Sequence, residues 1–357
     1  MRAIFLSALA MFAAGPALAQ SVFPDDAALL ATIRKGVEDK RAAGLVLGVM
    51  DKDGTTRVVA YGDPGPGAKP LSKDSIFEIG SITKTFTATV LADMAMKGEV
   101  KLDAPAQTYA PAGLTLPARN GKEITLANLS EQNSGLPRLP LNLAPRDFTN
   151  PYADYSVDQL TAFLGSYKLL RDPGESFEYS NLGVGLLGHL LANKAGTSYE
   201  TLVTQRVLAP LGMTSTTITL SPAMQEQLAK GHNKKGEVVS NWDLPTLAGA
   251  GALRSSMTDM LKYLDANLGE PKNDLERAMR MAQQPRAKAA GTNEIGLNWI
   301  TLTTASGRKI VAHDGGTGGY GAFIAFDPAR ETGVVLLANT TGVPSDIALK
   351  LLDPPAP

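Results

Sequence analysis

Apolar positions along the chain fall first into a helical rhythm, then into strand-like runs. Leu29, Leu30, Ile33 and Val37 recur at helical spacing and predict a helix over Ala27 to Arg41. Gly44-Leu45-Val46-Leu47-Gly48-Val49-Met50 is short and almost wholly apolar, as a buried strand should be. Asp51-Lys52-Asp53-Gly54 reads as a hairpin turn, and Arg57 to Tyr61 as the returning strand. Ser81 to Lys97 predicts a helix with an apolar face through Phe86, Val90, Leu91 and Met94, ended by Gly98. From Leu102 to about Met281, helical patterns (Val157–Leu164, Val184–Ala195, Tyr199–Leu208, Met257–Leu268) alternate with loops rich in proline and glycine. Strand signals return in Ile295–Thr303, Lys309–Ala312, Ala322–Phe326 and Gly333–Asn339, with a turn at Ser306-Gly307. Ser345–Leu352 predicts a closing helix.

Strands at both ends with helices between them predict an α/β fold of the α+β kind. A mainly antiparallel sheet, flanked by helices, would be built from both chain ends around an inserted, mainly helical lobe. The expected division is 1–19 as a signal peptide, 20–84 with 290–357 as a discontinuous sheet domain, and 85–289 as a helical domain. The active site is expected between the two. No internal repeat or low-complexity tract is visible.

Composition narrows the function. The 357 residues are 44% hydrophobic and 19% charged, which suits a globular chain. Lys plus Arg total 34 against 35 for Asp plus Glu, so the basic excess of a nucleic-acid binder is missing. The absence of cysteine removes disulfides, zinc ribbons and thiol nucleophiles. Three histidines (His189, His232, His313) lie far apart with no HExxH pairing, so no metal and no cofactor is expected. Arg2, the apolar run Ala3–Ala14 and the small residues Ala17 and Ala19 read as a cleavable signal, with Gln20 as the mature N-terminus. That apolar run is shorter than the ~20 residues a membrane span needs. An exported, periplasmic or secreted monomer acting on a small molecule or peptide is the expectation.

Three stretches carry candidate chemistry. In Phe77-Glu78-Ile79-Gly80-Ser81-Ile82-Thr83-Lys84, a serine opens a helix and Lys84 returns to the same face three residues on. A helix N-terminus favours developing negative charge, and a nearby amine can activate the hydroxyl without histidine. Ser-x-x-Lys is a weak pattern alone, and Ser306-Gly307-Arg308-Lys309 matches it too, on a probable turn. The second stretch is Tyr179-Ser180-Asn181. A lysine ammonium close to a tyrosine eases loss of the phenol proton, and the Asn181 amide can both donate and accept. A plain surface tyrosine is the competing reading. The third is His313-Asp314-Gly315-Gly316-Thr317-Gly318-Gly319-Tyr320-Gly321, whose glycines would let a substrate backbone lie along a strand. Gly316-x-Gly318-x-x-Gly321 also matches a dinucleotide fingerprint, but it leads into a strand and lacks the later acidic residue. No Gly-x-Ser-x-Gly elbow occurs.

Taken together, the three stretches resemble the serine β-lactamase and penicillin-binding-protein superfamily, in its class C-like branch. Val100–Pro105, Ile124–Leu129, Ser134–Pro137, Pro210–Thr216 and Gly333–Asn339 add further ordered likenesses over most of the mature chain. The resemblance implies a β-lactamase/transpeptidase-like fold and an acyl-enzyme mechanism. Ser81 would be the nucleophile, and Lys84 and Tyr179 would share the general-base work. Asn181 would bind the acylamino group, and His313, Gly315 and Gly316 would line the substrate strand. The amides of Ser81 and Gly316 would hold the oxyanion, and water would release the acyl group. His313 stands where β-lactamases of this class usually carry a lysine, and would serve as electrostatic partner. His-x-Gly looks more like D-amino-peptide hydrolases and esterases of the fold. The asparagine and arginine usual after Asn339 are absent, and Gln132-Asn133 replaces the usual His-Thr. Hydrolysis of β-lactams or D-alanyl peptides is the leading reading, with a carboxylesterase as alternative and an inactive cell-wall peptide binder behind it.

Overall fold

A computed structural model describes residues 21–354, so the signal segment expected at 1–19 lies outside the described residues. One eight-stranded antiparallel sheet dominates. Its strands are β1 (Gly44–Met50), β2 (Thr56–Gly62), β5 (Ala287–Lys288), β6 (Glu294–Ile295), β7 (Ile300–Thr303), β8 (Lys309–Gly316), β9 (Gly321–Asp327) and β10 (Thr332–Ala338). They run in the order β2-β1-β10-β9-β8-β7-β6-β5, so the N-terminal hairpin pairs directly with the last strand. A separate pair, β3 (Ile76–Glu78) with β4 (Arg254–Ser256), leads into the serine. The sheet built from both chain ends is thus as the sequence predicts.

Continuous burial of β1, β9 and β10 follows from cover on both faces. Leu45, Leu47 and Val49 point to one face, under helices α1 (Asp26–Glu38) and α6 (Ser345–Leu352). Val46 and Met50 point to the other, under α4 (Met257–Ala266). A Cβ on Gly48 would stand 2.6 Å from the Met257 sulfur, so glycine lets α4 lie directly on the sheet.

Helix α2 (Thr83–Met96) departs from the single apolar face expected. Residues Thr83 to Met94 are all buried, because α2 runs through the middle of the protein. Its threonines survive there because each hydroxyl has a partner: Thr85 donates to Ile82 O, and Thr87 meets Tyr199 and Gly249 O. The helix is also entered differently. Gly80–Ile82 forms a 3₁₀ turn, and the α-helix begins at Thr83 rather than at the serine. Gly98 ends it with φ +72°, as expected.

Three other expectations are corrected. Ile295–Thr303 is two short strands joined by a tight reversal, because Asn298 adopts φ +60° and sends the chain back on itself. Tyr199–Leu208 breaks after Val203 into a π turn. Helix α3 (Asn181–Ala195) starts three residues early, because Ser180 caps it by accepting from Gly183 N at 2.8 Å. A well-formed helix α5 (Asp274–Gln283) was not foreseen. Among the described residues, no helix is long and apolar enough to cross a membrane.

Candidate active site

The 3₁₀ turn carrying Ser81 is pressed against the end of β8. Gly80 has φ +48°, and a Cβ there would stand 2.6 Å from Gly316 N. A Cβ on Gly315 would overlap Ile79 O and reach 3.0 Å from Ser81 N. Glycine at both positions is therefore what brings the Ser81 and Gly316 amides together. That juxtaposition is the geometry an oxyanion hole requires.

Lys84 is wholly buried one turn beyond Ser81. Its Nζ lies 2.8 Å from Ser81 Oγ, 2.8 Å from Asn181 Oδ1 and 2.7 Å from Ala250 O. Burial pushes its pKa well below the ordinary lysine value, the nearby Arg138 charge adds to this, and Asp314 opposes it. A neutral amine has one lone pair and two N–H donors. Those match the Ser81 hydroxyl proton and the two carbonyl acceptors.

Tyr179 packs its ring over Lys84, with Nζ 4.9 Å from the ring centroid. The surroundings of the phenol work against the expected easing of its proton loss. Burial pushes the phenol above its ordinary value, and its hydrogen bond to Ser81 only partly offsets that. Tyr179 therefore stands as a proton donor at neutral pH.

His313 lies on β8 with its ring centroid 6.3 Å from that of Tyr179. It is buried, and burial lowers its pKa. Its Nδ1 stands 2.6 Å from Asp314 O, and a carbonyl only accepts, so Nδ1 carries the proton and Nε2 keeps a lone pair. A neutral imidazole supplies no positive charge where a lysine would.

All the sequence-predicted residues meet here: Ser81, Lys84, Tyr179, Asn181, His313, Gly315 and Gly316. The second Ser-x-x-Lys copy does not. Ser306 donates to Asp353 while Lys309 pairs with Glu294, so its two members point to different partners. A cavity of about 840 Å³ lies to one side, between Tyr199, Trp242 and Arg254, and includes none of these site residues.

Two positioning contacts escaped the sequence reading. Ala250 O, the third partner of Lys84, comes from the small-residue run Ala248-Gly249-Ala250-Gly251, which lets backbone approach the helices closely. Gln132, in a left-handed conformation (φ +59°), grips both sides of Tyr179. Its main-chain oxygen accepts from Glu178 N at 2.7 Å, and its Oε1 accepts from Ser180 N at 2.7 Å. Gln132 Nε2 then donates to Asn298 Oδ1 at 2.9 Å, tying the tyrosine segment to the β6–β7 reversal.

Comparison with known proteins agrees with this architecture. A family model described as Beta-lactamase matches residues 29–353. The chain is 33% identical over 315 residues to the D-alanyl-D-alanine-carboxypeptidase/endopeptidase AmpH of Escherichia coli strain K12, covering 84% of this chain and 80% of that protein. It is 28% identical over 340 residues to a Beta-lactamase of Pseudomonas fluorescens, covering 86% and 91%. A beta-lactamase/D-alanine carboxypeptidase structure from Yersinia pestis superposes with TM-score 0.79 at 25% identity, over 92% of this chain and 98% of that one.

Fold and relatives together define a serine hydrolase of the β-lactam and DD-peptidase type. The chain belongs to the beta-lactamase family, in its class C-like branch.

Proposed function

We propose that the protein is an exported hydrolase that works through an acyl-enzyme on Ser81, cleaving β-lactam or D-alanyl-peptide-type amide bonds. The observation that carries this reading is the buried Lys84 amine, 2.8 Å from Ser81 Oγ and depressed in pKa. The Ser81 hydroxyl gives its proton to Lys84 Nζ as Oγ attacks the carbonyl carbon. The oxygen that gains charge rests between the Ser81 and Gly316 amides. Tyr179, still protonated, donates to the departing nitrogen, and the Lys84 ammonium restores its proton. Asn181 Oδ1 is held by Lys84, and its Nδ2, beside the Tyr152 hydroxyl, would donate to the carbonyl of the substrate's acylamino group. Water then attacks the ester carbonyl by the reverse proton path. Arg2, the short apolar run and Ala17/Ala19 support export.

The test is intact-mass analysis of the protein from Gln20 onward after exposure to benzylpenicillin. An adduct should form with the wild type and be lost in Ser81→Ala. An adduct that persists in the folded mutant would sink the assignment. Nitrocefin turnover then separates a working β-lactamase from a slow-deacylating peptidase.

A second reading, a carboxylesterase on the same site, is favoured by one observation. The neutral His313 leaves the strand side without the cation that would hold a leaving-side carboxylate. Turnover of p-nitrophenyl esters far above that of β-lactams would support it.

A further inference from the structure

The proposed chemistry leaves one charged group at the site without a task. Arg138 is exposed, and its guanidinium carbon stands 5.1 Å from the centroid of the Tyr179 ring. Several other arginines among the described residues meet carboxylates: Arg57 with Asp26, Arg206 with Glu99, Arg254 with Glu78, Arg286 with Glu131; Arg34 instead lies over Tyr61 and Arg280 donates to Gly269 O. Among the described residues, no carboxylate stands within ion-pair distance of Arg138.

Its backbone, in contrast, is tightly held. Arg138 O accepts from Asn181 N at 2.9 Å and Leu182 N at 3.2 Å. Ser180 Oγ donates to Pro137 O at 2.7 Å. The main chain thus fixes the base of the side chain on the Asn181 wall and leaves the guanidinium free at the mouth. The charge reaches inward: it adds to the lowering of the Lys84 pKa and partly opposes the burial-driven rise of Tyr152 and Tyr179.

The opposite wall has the reverse character. On β8, His313 is neutral and the Asp314 side chain is exposed. The cleft is therefore polarised, with a free cation on the Asn181 side and a carboxylate on the strand side.

We infer that Arg138 is a specificity-determining residue whose guanidinium receives a carboxylate carried on the acyl half of the substrate. This rests on the acyl-enzyme reading above, which gives the Asn181 wall to the acyl group. The substrates it selects are amides or β-lactams with an acidic acyl substituent. A guanidinium fork suits a carboxylate in bidentate geometry. Because the pair would remain open to water, the effect is selective rather than absolute.

Benzylpenicillin and carbenicillin test this directly. They share the ring carboxylate and differ by one carboxylate on the acyl side chain. The second-order acylation constants of Ser81 should favour carbenicillin in the wild type. In Arg138→Ala the ratio of carbenicillin to benzylpenicillin should fall about tenfold, the size expected for a hydrogen bond to a charged group. Arg138→Lys should restore part of it, and raised ionic strength should erode the wild-type preference. An unchanged ratio in Arg138→Ala would overturn the inference. An equal fall for both penicillins leaves that ratio unchanged and overturns it too, since the loss would then act on Lys84 or on the shared ring carboxylate and not on the acyl substituent. Failure of both penicillins to acylate the folded wild type would overturn the acyl-enzyme reading and the inference with it.

Discussion

At the scale of single residues, the site turns on where one proton rests. Burial lowers the Lys84 pKa and raises that of Tyr179, which in the mechanism proposed above favours the amine as base and the phenol as acid. Sequence alone suggested the opposite bias for Tyr179, because a lysine beside a tyrosine reads as an ammonium until its burial is known. Acylation should therefore speed up as pH rises through the Lys84 pKa, because only the neutral amine accepts the serine proton. Arg138 helps to depress that pKa, so Arg138→Ala should move the rising limb to higher pH; stopped-flow acylation by benzylpenicillin across pH would show it. A limb that stays in place would mean that Arg138 does not act on Lys84. Lys84→Arg places a permanent charge there and cannot accept a proton, and should slow acylation by roughly 10²–10⁴-fold.

At the scale of elements, the reacting groups are positioned by backbone that turns unusually. Ser81, Lys84, Tyr179 and Asn181 were legible because their side chains carry the chemistry at short, regular spacings. Gln132 was visible only as a departure from a family phrase, since its grip on Tyr179 needs a left-handed backbone that composition does not announce. Asn298 was hidden for the same reason, inside what read as one strand. Gln132→Ala would leave Ser180 N and Asn298 Oδ1 without their buried partners. That should cost about 1–3 kcal/mol of stability and, by loosening Tyr179, slow acylation as well. Urea unfolding and acylation kinetics measure the two separately. Gln132→Glu keeps the acceptor for Ser180 N but loses the donor to Asn298. It should keep more of the acylation rate than Gln132→Ala does, and equal losses would break the positioning argument. Gly315→Ala acts through another contact: its methyl would overlap Ile79 O and push the strand from the nucleophile turn. Overpacking of this kind costs typically ~1–3 kcal/mol, with activity falling further than stability.

At the scale of the molecule, the question is whether the sheet and the helical insertion stand or fall together. The sequence pattern divides the chain, because strand periodicity occupies its ends and helical periodicity its middle. Packing does not respect that division. One apolar core runs from Val46, Phe326 and Val335 of the sheet to Leu160, Leu186 and Tyr199 of the helical segment. Trp299 sits inside it, 5.4 Å from Phe326 and stacked at 6.3 Å on Tyr263 of α4. The candidate site spans the same junction, since Lys84 bonds Asn181 and Ala250 while Gly80 touches Gly316. A shared core of this kind predicts one cooperative transition, although chains of this length often unfold in steps. The chain has two tryptophans, so Trp242→Phe leaves Trp299 as the sole fluorescent reporter of the sheet side. In that variant, Trp299 fluorescence and far-ultraviolet dichroism, which follows the helices, should give the same denaturant midpoint. Loss of helical signal while Trp299 remains native would show that the insertion is an independent domain. The serine would then stay on the sheet side while Tyr179 and Asn181 left it, and acylation would fail before the sheet unfolded.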